Sequence, residues 1–425
     1  MTTFTAEAYQ NEYLPAGGGE VNAVVTVTAS DAAPAATSTQ AAEIIIVDVS
    51  GSMGSPRAKL TAATRATAVA IDCIRDGVMF GVIAGNDTAR AVYPHEGGLV
   101  AASPQTREDA KQAVARLKAT GGTAIGSWLA LANELFAATP EAISHAILLT
   151  DGQDEHETPE QLEAVLADCE GSFQCDCRGV GTDWEVEELR RIATTLLGTV
   201  DIVAEPTGLQ DDFQAMIERA MGKATGDVSL RLWTPQGATV AFLKQVAPTI
   251  DDLTARANPV DALTADYPTG AWGDESRDYH LCILVQSRAV GEEMLAGRVG
   301  LMVGGEAVSQ ALIRAIWTDD EQLSTRINRE VAHYTGQAEL ADAIQEGLEA
   351  RKQGDEHTAT FKLGRAVQLA AAAGNSDTMK LLAGVVDVQD QHTGTVRLKP
   401  RVQDADEMAL DTRSTKTVRV KKPGS

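Results

Sequence analysis

Residues 43–56 read EIIIVDVSGSMGSP. After Glu43 the run Ile44–Val47 is continuously aliphatic, as expected of a strand covered on both faces in a parallel sheet. Directly behind it, Asp48, Ser50 and Ser52 set three short oxygen-bearing side chains at alternate positions, and Gly51 and Gly54 provide bends. The chain leaves the sheet here, so these oxygens are expected to converge on one point at the carboxyl end of the strand.

The surroundings of this strand define a fold class. A helix is expected from about Pro56 through RAKLTAATRATAVAIDCIR, proline being favoured in a first turn. Strands VMFGVIAG and ARAVYP follow, then helices QTREDAKQAVARLKAT and IGSWLALANELFAAT on either side of the loop GGT. Beyond them SHAILLTDG, FQCDCRGVG and TVDIVAE read as strands. PEQLEAVLADCE, EVEELRRIATTL and LQDDFQAMIERAMG read as helices. Such alternation predicts an α/β, doubly wound, mostly parallel sheet with right-handed crossovers. Sites in that architecture form where strand carboxyl ends meet loops.

Two more oxygen donors stand at matching strand ends: Thr123 in GGTAIGS and Asp151 in LLTDGQD. Asp48, Ser50, Ser52, Thr123 and Asp151 thus form an all-oxygen set suited to a hard divalent cation, Mg²⁺ first and Mn²⁺ or Ca²⁺ as variants, since Mg²⁺ prefers about six oxygens near 2.1 Å. Glycines 51, 54, 121, 122 and 152 would let the three loops rearrange around it.

With DVSGSM, GGT and LLTDG in this order, the chain resembles the von Willebrand factor A domain family, and within it the bacterial, actinobacterial-type cytoplasmic members. In that family D-x-S-x-S, a loop threonine and a T-D-G aspartate make the metal-ion-dependent adhesion site. The likeness covers residues 43 to about 222. It implies Ser50, Ser52 and Thr123 as close ligands, with Asp48 and Asp151 acting directly or through water. It also implies binding of a partner protein whose aspartate or glutamate completes the cation's shell, a charge-assisted contact. Some bacterial members that this chain resembles are adaptors of MoxR-type or chelatase-type AAA+ ATPases. The long acidic, proline-rich linker of the chelatase kind is missing here.

Composition restricts the alternatives. The 60 acidic against 36 basic residues give a formal charge of −24, which repels phosphate backbones and anionic headgroups, so neither nucleic acid nor membrane is an expected partner. The N-terminal MTTFTAEAYQNEYLPAGGGE lacks a basic stretch followed by an apolar one, and a cytoplasmic location is expected. Five cysteines do not make a disulfide framework. Cys175 and Cys177 share one face of a strand, and with Cys169 they read as buried thiols rather than a zinc site. An enzyme is not expected. A haloacid-dehalogenase-like D-x-D would need an acid where Ser50 stands, and no P-loop, nucleophile elbow or H-E-x-x-H helix occurs. His145 precedes a buried strand, and His156, in the loop after Asp151, reads as an exposed loop residue.

Residues 1–28 hold strand sequence, VNAVVTVT, and residues 29–42 read as a linker into the α/β domain of 43–222. After it, DVSLRLW, ATVAFLKQV, DYHLCILVQ and GRVGLMVGG alternate with period two, which predicts an antiparallel β-sandwich over 226–316 that the N-terminal strand completes. The α/β domain would then be an insertion. Four helical stretches, DEQLSTRINREVAHYTG, QAELADAIQEGLEARKQG, DEHTATFKLGRAVQLAAAAG and SDTMKLLAGVVD, predict a bundle over 319–388. The tail 396–425 carries eight basic residues against four acidic ones and reads as flexible. Thr412, Thr415 and Thr417 within it are candidate phosphoacceptors for a Ser/Thr kinase and candidate ligands of a forkhead-associated domain.

Overall fold

The computed structural model describes residues 2–30, 41–154 and 156–420. The chain divides into two units, one of residues 33–224 and one of residues 1–32 together with 225–425.

The first unit is built on a seven-stranded sheet. Its order is Val200–Val203, Gln174–Val180, Ile143–Thr150, Ala41–Asp48, Met79–Gly85 and Ala89–Tyr93, with the short Val100–Ala101 also paired to Met79–Gly85. The pairings among the first five are parallel, and the last strand and the short one run antiparallel at the edge. The strand Ala41–Asp48 is central, which accounts for its uninterrupted apolar run: Ile44, Ile45, Ile46 and Val47 have no exposed surface. The pleat sends Ile45 and Val47 to one side, where they pack with Ala63, Ala66, Phe213 and Met216 of the helices Ala58–Cys73 and Leu209–Met221. Four more helices, Pro104–Val114, Ile125–Phe136, Pro159–Cys169 and Val186–Thr195, fall close to the stretches expected of them.

The second unit carries two further sheets. One has the order Thr3–Gln10, Glu20–Ser30, Glu275–Leu284, Thr239–Ala247 and Asp251–Asp252. The other has the order Asn258–Asp261, Thr264–Pro268, Val228–Trp233, Glu293–Val303, Glu306–Thr318 and Tyr13–Pro15. A single apolar cluster draws Val25, Tyr279 and Leu281 from the first and Leu230, Val299 and Trp317 from the second. The strand before the α/β unit pairs on one side with Thr3–Gln10 and on the other with a strand more than 240 residues later, Val25 standing opposite Tyr279.

Four expectations need correction. Ala29 and Ser30 end a strand and Ala41 and Ala42 begin the next, so the linker is shorter than 29–42; its residues 31–40 lie outside the described ones. Gly336 does not break a helix: Arg329–Lys352 is continuous through it, because burial of Tyr334 on one side of the glycine and of Leu340, Ile344 and Leu348 on the other, in two apolar clusters, outweighs the roughly 1 kcal/mol that a mid-helix glycine costs. The bundle of Arg329–Lys352, Glu356–Ala373 and Ser376–Val385 is followed by an unforeseen hairpin, Val386–Asp390 with Thr395–Leu398.

The tail is also not loose over its described length. It forms the helix Asp404–Arg413, with Leu410 in the apolar cluster of the bundle. Residues 415–418 then run beside 248–250: Ile250 N donates to Thr415 O (2.8 Å) and Thr417 N to Pro248 O (3.0 Å). Arg419 Nη2 donates to the buried Asp278 Oδ1 (3.0 Å), which also accepts from Thr26 Oγ1 (2.8 Å), while Tyr334 donates to Asp278 Oδ2. The basic charges that suggested a free tail are in part anchored on an acidic core residue. Residues 421–425 lie outside the described chain.

Candidate metal centre

Because Ala41–Asp48, Ile143–Thr150 and Met79–Gly85 are adjacent and parallel, their carboxyl ends share one edge of the sheet. Asp48 ends the central strand with no exposed surface. Its Oδ1 accepts from Ser50 N (2.7 Å), which folds the chain back in a tight turn, and its Oδ2 accepts from Thr150 Oγ1 (2.6 Å) and Asp151 N (3.4 Å). Both Asp48 oxygens are thus engaged in tying two strand ends together. Thr150, the threonine of the TDG pattern, takes a role there that the pattern alone does not assign. Burial pushes the Asp48 carboxyl up to about 6, against the pull of its hydrogen bonds from Ser50 and Thr150.

A short helix, Gly51–Gly54, carries Ser52 onward. Ser50 Oγ and Ser52 Oγ are 2.9 Å apart, and Ser52 Oγ donates to Asp151 Oδ1 (2.6 Å). The loop bearing Thr123 is laced to the same place by the backbone: Thr120 N donates to Val49 O (2.7 Å) and Gly51 N to Gly121 O (2.9 Å). Gly121 adopts φ +80, the left-handed region that favours glycine. Gly152 marks the meeting point of the loops. A Cβ there would lie 3.4 Å from Thr123 Oγ1 and 3.6 Å from Ser52 Oγ. The structure therefore brings all five predicted residues, Asp48, Ser50, Ser52, Thr123 and Asp151, into one cluster.

The helix that starts behind Thr123, Ile125–Phe136, has Ala124 at its N-cap and so no capping side chain of its own. The loop after Asp151 supplies the caps instead. Glu157 accepts from Gly126 N (2.7 Å) and Ser127 N (2.9 Å), one on each carboxylate oxygen, and Asp154 Oδ2 accepts from Ile125 N (3.1 Å). His156 N donates to Thr123 O (3.1 Å), and its ring covers Gly122 so closely that a Cβ there would be 1.9 Å from the imidazole. His156 is exposed, as expected, and the glycine at 122 makes room for it.

Lys59, like Asp154 and Glu157, belongs to no sequence pattern. It lies in the first turn of Ala58–Cys73, is 8% exposed, and its Nζ donates to Asp151 Oδ2 (2.7 Å) and Asp183 Oδ2 (3.0 Å). Burial opposes its charge, but the bonds to Asp151 and Asp183 outweigh it and raise its pKa.

Among the described residues no group of three or more His, Cys, Asp and Glu side chains is arranged to hold a metal ion. A cation here would depend on hydroxyls. The donor set fits that demand: oxygens on neighbouring vertices of an octahedron of radius roughly 2.1 Å stand about 3.0 Å apart, and Ser50 Oγ and Ser52 Oγ stand 2.9 Å apart. Ser50, Ser52, Thr123 and Asp151 Oδ1 are the oxygens that would hold the ion, with Asp48 behind them.

The remaining candidates lie elsewhere. His145 is at the opposite, amino-terminal end of its strand, with Nδ1 2.8 Å from Glu43 Oε1 and Nε2 3.2 Å from Asp176 Oδ2. Cys169, Cys175 and Cys177 are free and buried, as read. Thr412 is 2% exposed and its hydroxyl donates to Met408 O (2.6 Å), so a kinase would meet it only after local unfolding. Thr417 Oγ1 donates to Val246 O (2.6 Å), and Thr415 is half-buried with its carbonyl engaged.

An open α/β sheet with serine, threonine and aspartate oxygens gathered at its carboxyl edge defines a von Willebrand factor A fold. Residues 42–202 match the model of the von Willebrand factor type A domain, and residues 368–414 match that of the von Willebrand factor type A C-terminal domain. The latter spans the hairpin and final helix described above. A solved von Willebrand factor type A protein from Catenulispora acidiphila is 52% identical, over 98% of this chain and 97% of that one, with a TM-score of 0.94. The chain belongs to the von Willebrand factor type A family. The ArnB paralog VWA2 from Sulfolobus acidocaldarius, 12% identical, has the same fold over 99% of this chain and 100% of its own at a TM-score of 0.59. An uncharacterized Synechocystis protein is 29% identical over 222 residues, and the chain spans about half the length of that relative. Among the described residues no helix is long and apolar enough to cross a membrane.

Proposed function

We propose that this chain is a non-catalytic, cytoplasmic protein-binding module that captures an acidic side chain of a partner protein in dependence on a divalent cation, Mg²⁺ or a close substitute. The observation that carries this reading is the convergence of Ser50, Ser52 and Asp151 oxygens within hydrogen-bonding distance, with Thr123 Oγ1 beside Gly152. When bound, the cation would supply a concentrated positive charge able to attract a carboxylate. The chain's own residues do the rest. Asp48 locks the two strand ends, Ser50 and Ser52 offer neutral oxygens, and Asp151 turns one carboxylate oxygen, Oδ1, to the cluster while Lys59 holds the other. A site with so little negative charge leaves a dication under-neutralised, and an aspartate or glutamate from outside is the natural complement. The sheet-rich unit and the bundle would then orient the site or add a second contact.

Affinity capture from native extract, in Mg²⁺ and in EDTA, tests this reading with the Ser50→Ala/Ser52→Ala double variant as the control. The expected result is a partner retained by the wild-type chain in Mg²⁺ and lost in EDTA and with the variant. Equal recovery under all three conditions contradicts it.

A further inference from the structure

Asp151 has its two carboxylate oxygens assigned to different tasks. Oδ1 takes the Ser52 hydroxyl of the cluster at 2.6 Å; Oδ2 takes the Lys59 ammonium at 2.7 Å. Lys59 comes from the first turn of a different helix, is nearly buried, and is steadied from outside by Asp183, whose side chain is 69% exposed. A buried ammonium this close to a metal-site carboxylate is an unusual expenditure of charge, because a cation of the protein competes with the cation the site is built for.

We propose that Lys59 is a built-in counter-ion that sets the strength and selectivity of the site: it lowers affinity for the dication alone and makes tight binding conditional on an anionic ligand. The inference deepens the proposed function and rests on it. Asp48, Asp151 and Lys59 together bring one net negative charge rather than two. A dication added to that set leaves a net positive charge, which an incoming carboxylate relieves. Asp183 returns a negative charge only from the solvent side, where water and salt screen it. The same contact also fixes Asp151 in place when the cation is absent, since its carboxylate would otherwise have only the Ser52 hydroxyl to offset its charge beside Asp48, and it holds Oδ2 apart from the hydroxyls of the cluster. By reciprocity, whatever the ammonium makes the carboxylate gain from the cation, the cation gains from the carboxylate. Lys59 is a positioning residue in this account, acting through Asp151.

The test is calorimetric titration of the full chain with Mn²⁺ and with Mg²⁺, each in the absence and presence of acetate, on wild type, Lys59→Met, Lys59→Arg and Asp183→Asn. Methionine matches the stem and removes the charge. Lys59→Met is expected to bind the metal alone roughly tenfold more tightly, the least expected of a unit charge held so near a dication, and to gain less from acetate than wild type does. Its thermal midpoint should rise more on metal addition than that of wild type, by linkage. Lys59→Arg retains the charge and should behave as wild type. Asp183→Asn, an exposed change that the fold will tolerate, should weaken metal binding about twofold. A folded Lys59→Met with wild-type or weaker affinity overturns the inference, as does an Asp183→Asn protein that binds as well as wild type or better. Metal uptake by none of the proteins, wild type included, overturns the proposed function and this inference with it.

Discussion

His145 shows how much a single residue can owe to neighbours distant in sequence. Burial alone would strip its charge, but the Glu43 carboxylate and the bonds to Asp176 and Glu43 push its pKa up to about 10. Asp176 is held well below the usual carboxylate range: burial acts against this, and His145, Arg178 and Thr199 overcome it. A histidine whose native pKa exceeds its unfolded value near 6.5 stabilises the fold in full below that pH. The contribution then falls as pH rises toward 10, since the native state keeps a proton that the unfolded chain has released. Stability of the chain should therefore decline between pH 7 and 10, and His145→Leu should flatten that decline. The variant leaves Glu43 buried without its partner and should lose about 3–5 kcal/mol in urea unfolding at neutral pH; a loss under about 1 kcal/mol contradicts the assignment. In the sequence His145 is one polar residue ahead of an apolar strand. Only the parallel register that sets Glu43 opposite it reveals the pair. The same holds for Lys59, separated from Asp151 by 92 positions. The five oxygens drawn together here stand in recognisable local patterns, DVSGS, GGT and TDG, although Thr123 lies in a loop between two helices and not at a strand end; Thr150 is part of the TDG pattern with no sign of its bond to Asp48, and Lys59 lies in a helix start that carries no signal.

At the scale of elements, the decisive feature is that the helix behind Thr123 is capped from the loop behind Asp151. Three backbone N–H groups, those of Ile125, Gly126 and Ser127, go to Asp154 and Glu157. Burial and the neighbouring Asp154 push the Glu157 carboxyl up, against the pull of Gly126 N and Ser127 N. Glu157→Ala should lower stability by about 1–2 kcal/mol in chemical denaturation, the ordinary worth of a lost cap. It should also raise amide exchange at residues 124–127 and leave the sheet unaltered. Unchanged exchange there contradicts the coupling of the two loops. This cap could not be read from the sequence, because Ala124 and Ile125 give no start signal and the capping acid arrives from another loop. Locally supplied caps carry their signal beside the helix, as with Pro104 after Ser103 and Pro159 after Thr158, each in a capping box, although the helix expectations did not use them. Helix continuity through Gly336 and the hairpin at Val386–Leu398 were missed for opposite reasons. In one case tertiary burial overrides a weak breaker, and in the other the strand Val386–Asp390 follows Ser376–Val385 with no glycine or proline to separate it from the helix.

At the scale of the molecule, the α/β unit falls between Glu20–Ser30 and the later strands of the same sheet, and the sequence marks it by a change of period, 3.6 alternating with apolar runs over 43–222 and two over 226–316. The ordered tail was not legible. Its basic residues suggest a solvated segment, and only the fold shows Asp278, Val246 and Pro248 waiting for Arg419 and Thr417. The account as a whole depends on oxygens from three separate loops enclosing one divalent cation. Anomalous diffraction from crystals of the full chain grown in Mn²⁺ is the most direct measurement of that. The account predicts one strong peak within bonding distance of Ser50 Oγ and Ser52 Oγ and adjacent to Thr123 and Asp151. The absence of a peak there, in crystals whose loops keep the arrangement described, would contradict it.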